Sequence, residues 1–135
     1  MLQTYIDGPY RAFTADVPAN LIGMEGYLVE QTAIGTIQLY TATPMRPPVG
    51  TLFERLEGSN AWKVRLIGKG GTVRMVAGGA ITLPAFVKAN TGGTVIAASS
   101  TNAALGYAIV PDGGVAFTAA ANDFIEVIDE PQIAA

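Results

Sequence analysis

Tyr27-Leu28-Val29-Glu30-Gln31-Thr32, followed by Gly35-Thr36-Ile37-Gln38-Leu39-Tyr40, returns later in the chain as Phe86-Val87-Lys88-Ala89-Asn90-Thr91, followed by Gly93-Thr94-Val95-Ile96-Ala97-Ala98, once a one-residue gap is closed. Each copy continues to an apolar-glycine step, Val49-Gly50-Thr51-Leu52 in the first and Leu105-Gly106-Tyr107-Ala108 in the second. Each ends in an alternating run, Trp62-Lys63-Val64-Arg65-Leu66 and Phe124-Ile125-Glu126-Val127-Ile128. Identities between the copies are few, so the match rests on the order of strand, turn and glycine. A duplicated β unit predicts a stiff scaffold that presents surface.

Outward from these runs the apolar period is two. Ile37 and Leu39 alternate with Thr36 and Gln38, and Trp62, Val64 and Leu66 alternate with Lys63 and Arg65, as half-buried strands require. Turn signals separate the runs at Pro44 with Pro47-Pro48, Gly58-Ser59-Asn60, Gly68-Lys69-Gly70-Gly71, Gly78-Gly79, Asn90-Thr91-Gly92-Gly93 and Pro111-Asp112-Gly113-Gly114. The pattern predicts an all-β fold, a small β-barrel or β-sandwich built from two similar units. Thr51 to Glu57 has a helical spacing of Leu52 and Leu56 with Thr51 as a cap, but its alignment with the second copy assigns it to a strand. The expected division is an N-terminal arm and lead-in over 1–26 and a single β domain over 27–135. Within that domain, unit one is 27–67, a hairpin connection 68–85, unit two 86–128 and a tail 129–135.

The chain of 135 residues is one domain's length, enough to bury about two-thirds of its unfolded surface. Half of it is hydrophobic and only 14% is charged, against about 25% in an average soluble domain. So few charges favour burial of apolar surface against other chains. Residues 1–88 hold all 8 Lys and Arg with 6 acids, whereas residues 89–135 hold 5 acids and no base. That asymmetry suits self-complementary packing better than nucleic-acid binding, which needs a clustered basic excess. The uncharged run from Ala89 to Val110 is interrupted by Asn90, Gly92, Gly93, Ser99 and Asn102, and predicts strands and turns, with no membrane span. Met1 to Asp7 lacks the basic start and apolar core of a secretory signal.

Cysteine and histidine are both absent, which excludes disulfides, thiolate nucleophiles, zinc sites with Cys or His ligands, and imidazole acid/base chemistry. Gly68-Lys69-Gly70-Gly71-Thr72 resembles a phosphate loop, but Lys63 occupies the position of its first glycine and no long helix follows, so a hairpin turn is expected. The carboxylates Glu54 and Glu57, and Asp123, Glu126, Asp129 and Glu130, are read as solvated-face residues rather than a paired acid/base or hard-cation site. Ser99 and Ser100 have no histidine to activate them. A trimeric nucleotide hydrolase of β fold is disfavoured by the Pro131-Gln132-Ile133-Ala134-Ala135 ending. No catalytic residue, cofactor or metal is expected.

Residues 1–20 carry Tyr5, Tyr10 and Phe13 among Gly8, Pro9 and Pro18 without a sustained period, and are read as an extended arm or as a segment folded back on its own core. Aromatic knobs on such an arm bury much area at low entropic cost. Tyr5, Tyr10, Arg11 and Phe13 are the candidate contacts to a partner, and deletion of residues 2–15 is expected to remove binding and leave the fold.

Taken in order, Pro48-Val49-Gly50-Thr51-Leu52, Trp62-Lys63-Val64-Arg65-Leu66-Ile67-Gly68, Ala77-Gly78-Gly79-Ala80-Ile81, Val87 to Ala97, Leu105-Gly106-Tyr107-Ala108 and Asp123-Phe124-Ile125-Glu126-Val127 resemble the capsid decoration, or head cement, proteins of tailed bacteriophages. The likeness spans about Tyr27 to Ile128. The chain departs from that pattern at Leu83-Pro84-Ala85 and at Ala121-Asn122-Asp123, where the family has Gly-Asp turns, and its first 26 residues match no family pattern. The resemblance implies a non-enzymatic virion protein, assembled in the host cytoplasm, that sits as a homotrimer on the outside of a phage head, with the major capsid protein as partner. Two other readings stand beside it: another self-assembling virion part such as a tail-tube or head-completion subunit, or a small β-barrel module binding carbohydrate or peptide. The last is marked by exposed aromatics on one face, whereas Trp62 is in phase with the core.

Overall fold

The computed structural model describes residues 8–99, 103–111, 115, 117–129 and 132–133. It is all-β, as expected, with two five-stranded antiparallel sheets of the same design. The first sheet contains β1 (Tyr10–Thr14), β2 (Leu28–Gln31), β3 (Ile37–Leu39), β4 (Pro48–Arg55) and β5 (Ala61–Leu66), in the order β1-β5-β4-β2-β3. Next along the chain come β6 (Thr72–Val76), β7 (Ile81–Leu83), β8 (Ala85–Ala89), β9 (Val95–Ala97), β10 (Ala103–Ala104), β11 (Gly106–Ala108), β12 (Phe117–Ala119), β13 (Phe124–Ile128) and β14 (Gln132–Ile133). The second sheet runs β6-β13-β11-β8-β9, so each of its strands has a counterpart in the first. Each sheet curls until its outer strands meet through a parallel bridge, Ala15 to Ile37 in one and Ala77 to Val95 in the other. Two small barrels result.

Their registers show how the copies correspond. Val29 opposes Leu39 and Gly50 as Val87 opposes Ala97 and Gly106. Leu28 therefore corresponds to Phe86, and the one-residue gap is not needed. Matching Tyr27 to Phe86 paired like with like, but a slip of one residue exchanges the inward and outward faces of a strand. Likewise Tyr10 opposes Arg65 as Thr72 opposes Ile128, so Trp62 corresponds to Ile125.

Two expected boundaries change. The stretch read as an arm supplies β1, and the stretch read as a connection supplies β6. No hairpin joins β5 to β6 across Gly68–Gly71. The reason is edge occupancy: β5 is already hydrogen-bonded to β1 on one side and β4 on the other, so β6 pairs with β13 in the second barrel. Without β1, β5 would expose a row of unpaired backbone groups. Thr51 to Arg55 is strand, as the copy alignment expects.

Alternation fills each barrel. Val29, Ile37, Leu52, Trp62 and Val64 pack with Ala15 and Leu21 in the first, with Leu21 following a 3-10 turn over Pro18–Asn20. Val73, Met75, Val87, Val95, Ala108, Ile125 and Val127 fill the second together with Ile81, Leu83 and Ala119 from the β7–β12 ribbon. Leu28 is the exception that joins the two. It lies on β2 of the first barrel but belongs to the packed cluster of the second and is fully buried.

Candidate interaction surfaces

The polar chemistry of the chain lies at the junction and on one outer face. At the junction, Arg65 points outward from β5 and its Nη1 lies 3.0 Å from Asp129 Oδ2, while its Nη2 donates to the Gly70 carbonyl. Asp129 follows β13 and is 2% exposed. It also accepts from the backbone N–H groups of Gly68, at 2.9 Å, and Lys69, at 3.2 Å. Asp129 is therefore not a solvated-face carboxylate. It binds the glycine-rich connector and the first barrel to the end of the second, and the glycines that suggested a phosphate loop present their amides to this carboxylate. Around it, Leu28 N–H donates to the Gly93 carbonyl at 2.7 Å and Gly92 N–H to the Tyr40 carbonyl at 2.8 Å.

A second buried carboxylate holds a loop. Glu30 accepts from Gln38 Nε2 at 2.7 Å, from Thr41 N–H at 3.0 Å and from the Thr41 hydroxyl at 2.9 Å, with Arg46 at 3.6 Å. Burial alone raises its pKa. The Thr41 amide, the Gln38 amide, the Thr41 hydroxyl and the Arg46 charge outweigh that, and the carboxyl lies below the usual glutamate range. Because the folded value is depressed, this stabilisation is present in full above the ordinary glutamate range and is lost as pH falls through and below it. Thermal midpoints measured from pH 7 down to pH 3 are expected to fall more steeply for the native chain than for Glu30→Gln. Parallel curves would refute the assignment.

Of the four candidate contact residues, Tyr5 lies outside the described residues. Tyr10 and Arg11 are exposed on β1. Phe13 packs against the first core, with the Arg11 guanidinium 5.5 Å from its ring centroid, so its position is structural. Deleting residues 2–15 would remove all of β1, so that deletion tests folding rather than binding.

The outer face sets Tyr10 among aromatics that pattern reading missed, Phe53 and Phe124. Tyr10 and Phe53 meet with ring planes tilted by 56° and centroids 4.8 Å apart, and Lys63 Nζ lies 5.7 and 5.8 Å from the two ring centroids and 3.1 Å from Glu54. Phe53 sits where the β4–β5 register shifts between Leu52 and Glu54. The bulge turns an apolar side chain to solvent and breaks the alternation that would have placed it. Farther along, Arg74 lies 4.3 Å over the exposed Phe124 ring. A shallow groove of about 330 Å³ lined by Tyr10, Phe53, Glu54 and Arg74 runs between the barrels. Among the described residues, no three acidic side chains converge to hold a metal ion, and no helix is long and apolar enough to cross a membrane. Asp123 instead accepts from Ala120 N–H at 2.8 Å and closes the turn in which Asn122 has φ 74°.

Comparison of the chain with protein-family models, with curated proteins and with solved structures gives no match.

Proposed function

We propose that this chain is a non-enzymatic structural protein of a tailed-phage virion, which binds the major capsid protein on the outside of the head as a homotrimer and stabilises the expanded shell. The observation that carries this reading is the pair of like barrels joined by the buried Arg65–Asp129 contact and Leu28, with an aromatic and cationic strip left exposed beside the joint. A cement protein acts by mass action: it stabilises whichever lattice state it binds more tightly, and a stiff body loses little entropy on binding. The order of glycine and strand motifs from Tyr27 to Ile128 adds the family resemblance.

Mixing the purified chain with expanded, undecorated heads and reconstructing the particles tests the proposal. A stoichiometric external shell is expected. Tyr10→Ala with Phe53→Ala should weaken binding at least about tenfold, the effect of losing about 1.4 kcal/mol, without changing the melting curve by more than a few degrees. Native chain that leaves the heads bare refutes the proposal.

One observation favours a second reading, the carbohydrate- or peptide-binding module. The exposed aromatics that mark such modules are present as Tyr10, Phe53 and Phe124, although Trp62 is core. A chain that stays monomeric and is retained on an immobilised glycan or peptide would favour this reading.

A further inference from the structure

The two barrels display the same outward row of side chains in different surroundings. On the first barrel, cross-strand register places Leu28, Thr51, Arg65 and Tyr10 side by side. The second barrel covers three members of this row, leaving Leu28 0%, Thr51 3% and Arg65 9% exposed, while Tyr10 at its end stays 38% exposed. The corresponding row on the second barrel is Phe86, Tyr107, Ile128 and Thr72. Phe86 and Tyr107 meet edge to face at 4.9 Å and are half-buried, and Ile128 is 36% exposed. The row that is buried on the first barrel is thus more apolar on the second, and no barrel among the described residues covers it.

The receiving side differs in a matching way. Within the chain, Arg65 of the presenting row meets Asp129 of the second barrel. Arg65 corresponds to Ile128, and Asp129, the residue just after Ile128, corresponds to Leu66. The ion pair inside the chain therefore maps onto an Ile and a Leu. Changing one partner alone would bury an unpaired charge, whereas changing both keeps the surfaces complementary. The Gly92–Gly93 turn that receives Leu28 and Tyr40 corresponds to the turn at Ile34 and Gly35, and Ile34 is 78% exposed.

We propose that the Phe86–Tyr107–Ile128 row of one copy docks on the Leu66 and Ile34 end of the first barrel of a second copy, repeating between chains the contact made within each chain. Phe86, Tyr107 and Ile128 carry no charge, and neither do Leu66 and Ile34 on the receiving end, so the pairing joins two apolar surfaces. Such a contact is head-to-tail, so it closes a ring when the rotation permits and otherwise propagates. The inference shares with the proposed function only the premise of self-association, and names the surfaces that meet.

Sedimentation velocity of the full chain, without heads, tests it. Native chain is expected to associate with rising concentration. Ile128→Arg and Leu66→Asp should each move association to at least tenfold higher concentration, and an equimolar mixture of the two should restore it by recreating the Arg–Asp pairing seen inside the chain. Should Leu66→Asp fail to fold, Ile34→Asp, at an exposed tip, provides the receiving-face variant and should weaken association similarly. A native chain that is monomeric at every concentration overturns the inference, as does association that survives both Ile128→Arg and Ile34→Asp. Folded single variants that do not associate when mixed also overturn it. Because heads are absent, a monomer that still decorates heads would sink only this inference, and a self-associating chain that leaves them bare would sink only the capsid proposal.

Discussion

Asp129→Ala is expected to lower the unfolding free energy by about 3–5 kcal/mol, the usual consequence of removing one partner of a buried ion pair. Arg65 is 9% exposed, and without the carboxylate its charge stays in the junction with only carbonyl oxygens of Leu66 and Gly70 to accept from it. The Gly68 and Lys69 amides lose their acceptor as well, but both residues are exposed and water can replace it. For a domain whose whole stability is on the order of 5–15 kcal/mol, this is a large fraction. The double variant Arg65→Ile with Asp129→Leu is expected to recover most of the loss, because it installs the apolar pair that Ile128 and Leu66 bring to the corresponding positions. Urea unfolding of the three proteins measures both effects. A loss below about 1 kcal/mol for Asp129→Ala would mean that the junction does not hold the barrels together.

Gly50→Ala and Gly106→Ala should each cost about 3 kcal/mol, at the upper end of overpacking penalties. A Cβ at Gly50 would lie 2.2 Å from the Arg65 carbonyl oxygen and 2.7 Å from Val64 Cγ1, and one at Gly106 would lie 2.1 Å from the Ile128 carbonyl oxygen. The two carbonyl oxygens belong to the neighbouring strand's backbone, and no rotamer change relieves contact with them. Space forces glycine here, since neither residue has a positive φ. Gly79→Ala is the control, because its Cβ would meet nothing within 4 Å, and a change within about 0.5 kcal/mol is expected there. Equal melting temperatures for all three variants would show that the strands can separate at these points without loss.

Those two glycines also mark how far the linear pattern reaches. The apolar-glycine step was recognisable in both copies because the close strand crossing excludes every side chain, and a steric requirement of that kind appears directly in residue type. Alternation likewise placed Trp62 and Val64 in phase with the core, since a strand with one face in a core must repeat every two residues, whereas matching Trp62 to Phe124 put the last strand of the second copy one residue out of phase. The all-β class and the duplication followed from local rules alone.

Other features depended on partners distant in the chain. Asp129 looks like any acid after a terminal strand, and only the arrival of Arg65 and the Gly68–Lys69 amides, some sixty residues earlier, makes it a buried acceptor. Tyr10 to Thr14 lacks a helical or strand period because β1 is exposed along most of its length, so its strand character comes from the free edge of β5. Phe53 was hidden by a bulge, and Leu28 by belonging to one barrel's strand and the other barrel's core. Local alternation, turn residues and forced glycines were therefore determined by the sequence by itself. Which edge each strand fills, how the barrels join and which apolar row stays uncovered were decided by tertiary structure, because these depend on contacts between segments whose separation along the chain carries no periodic signal.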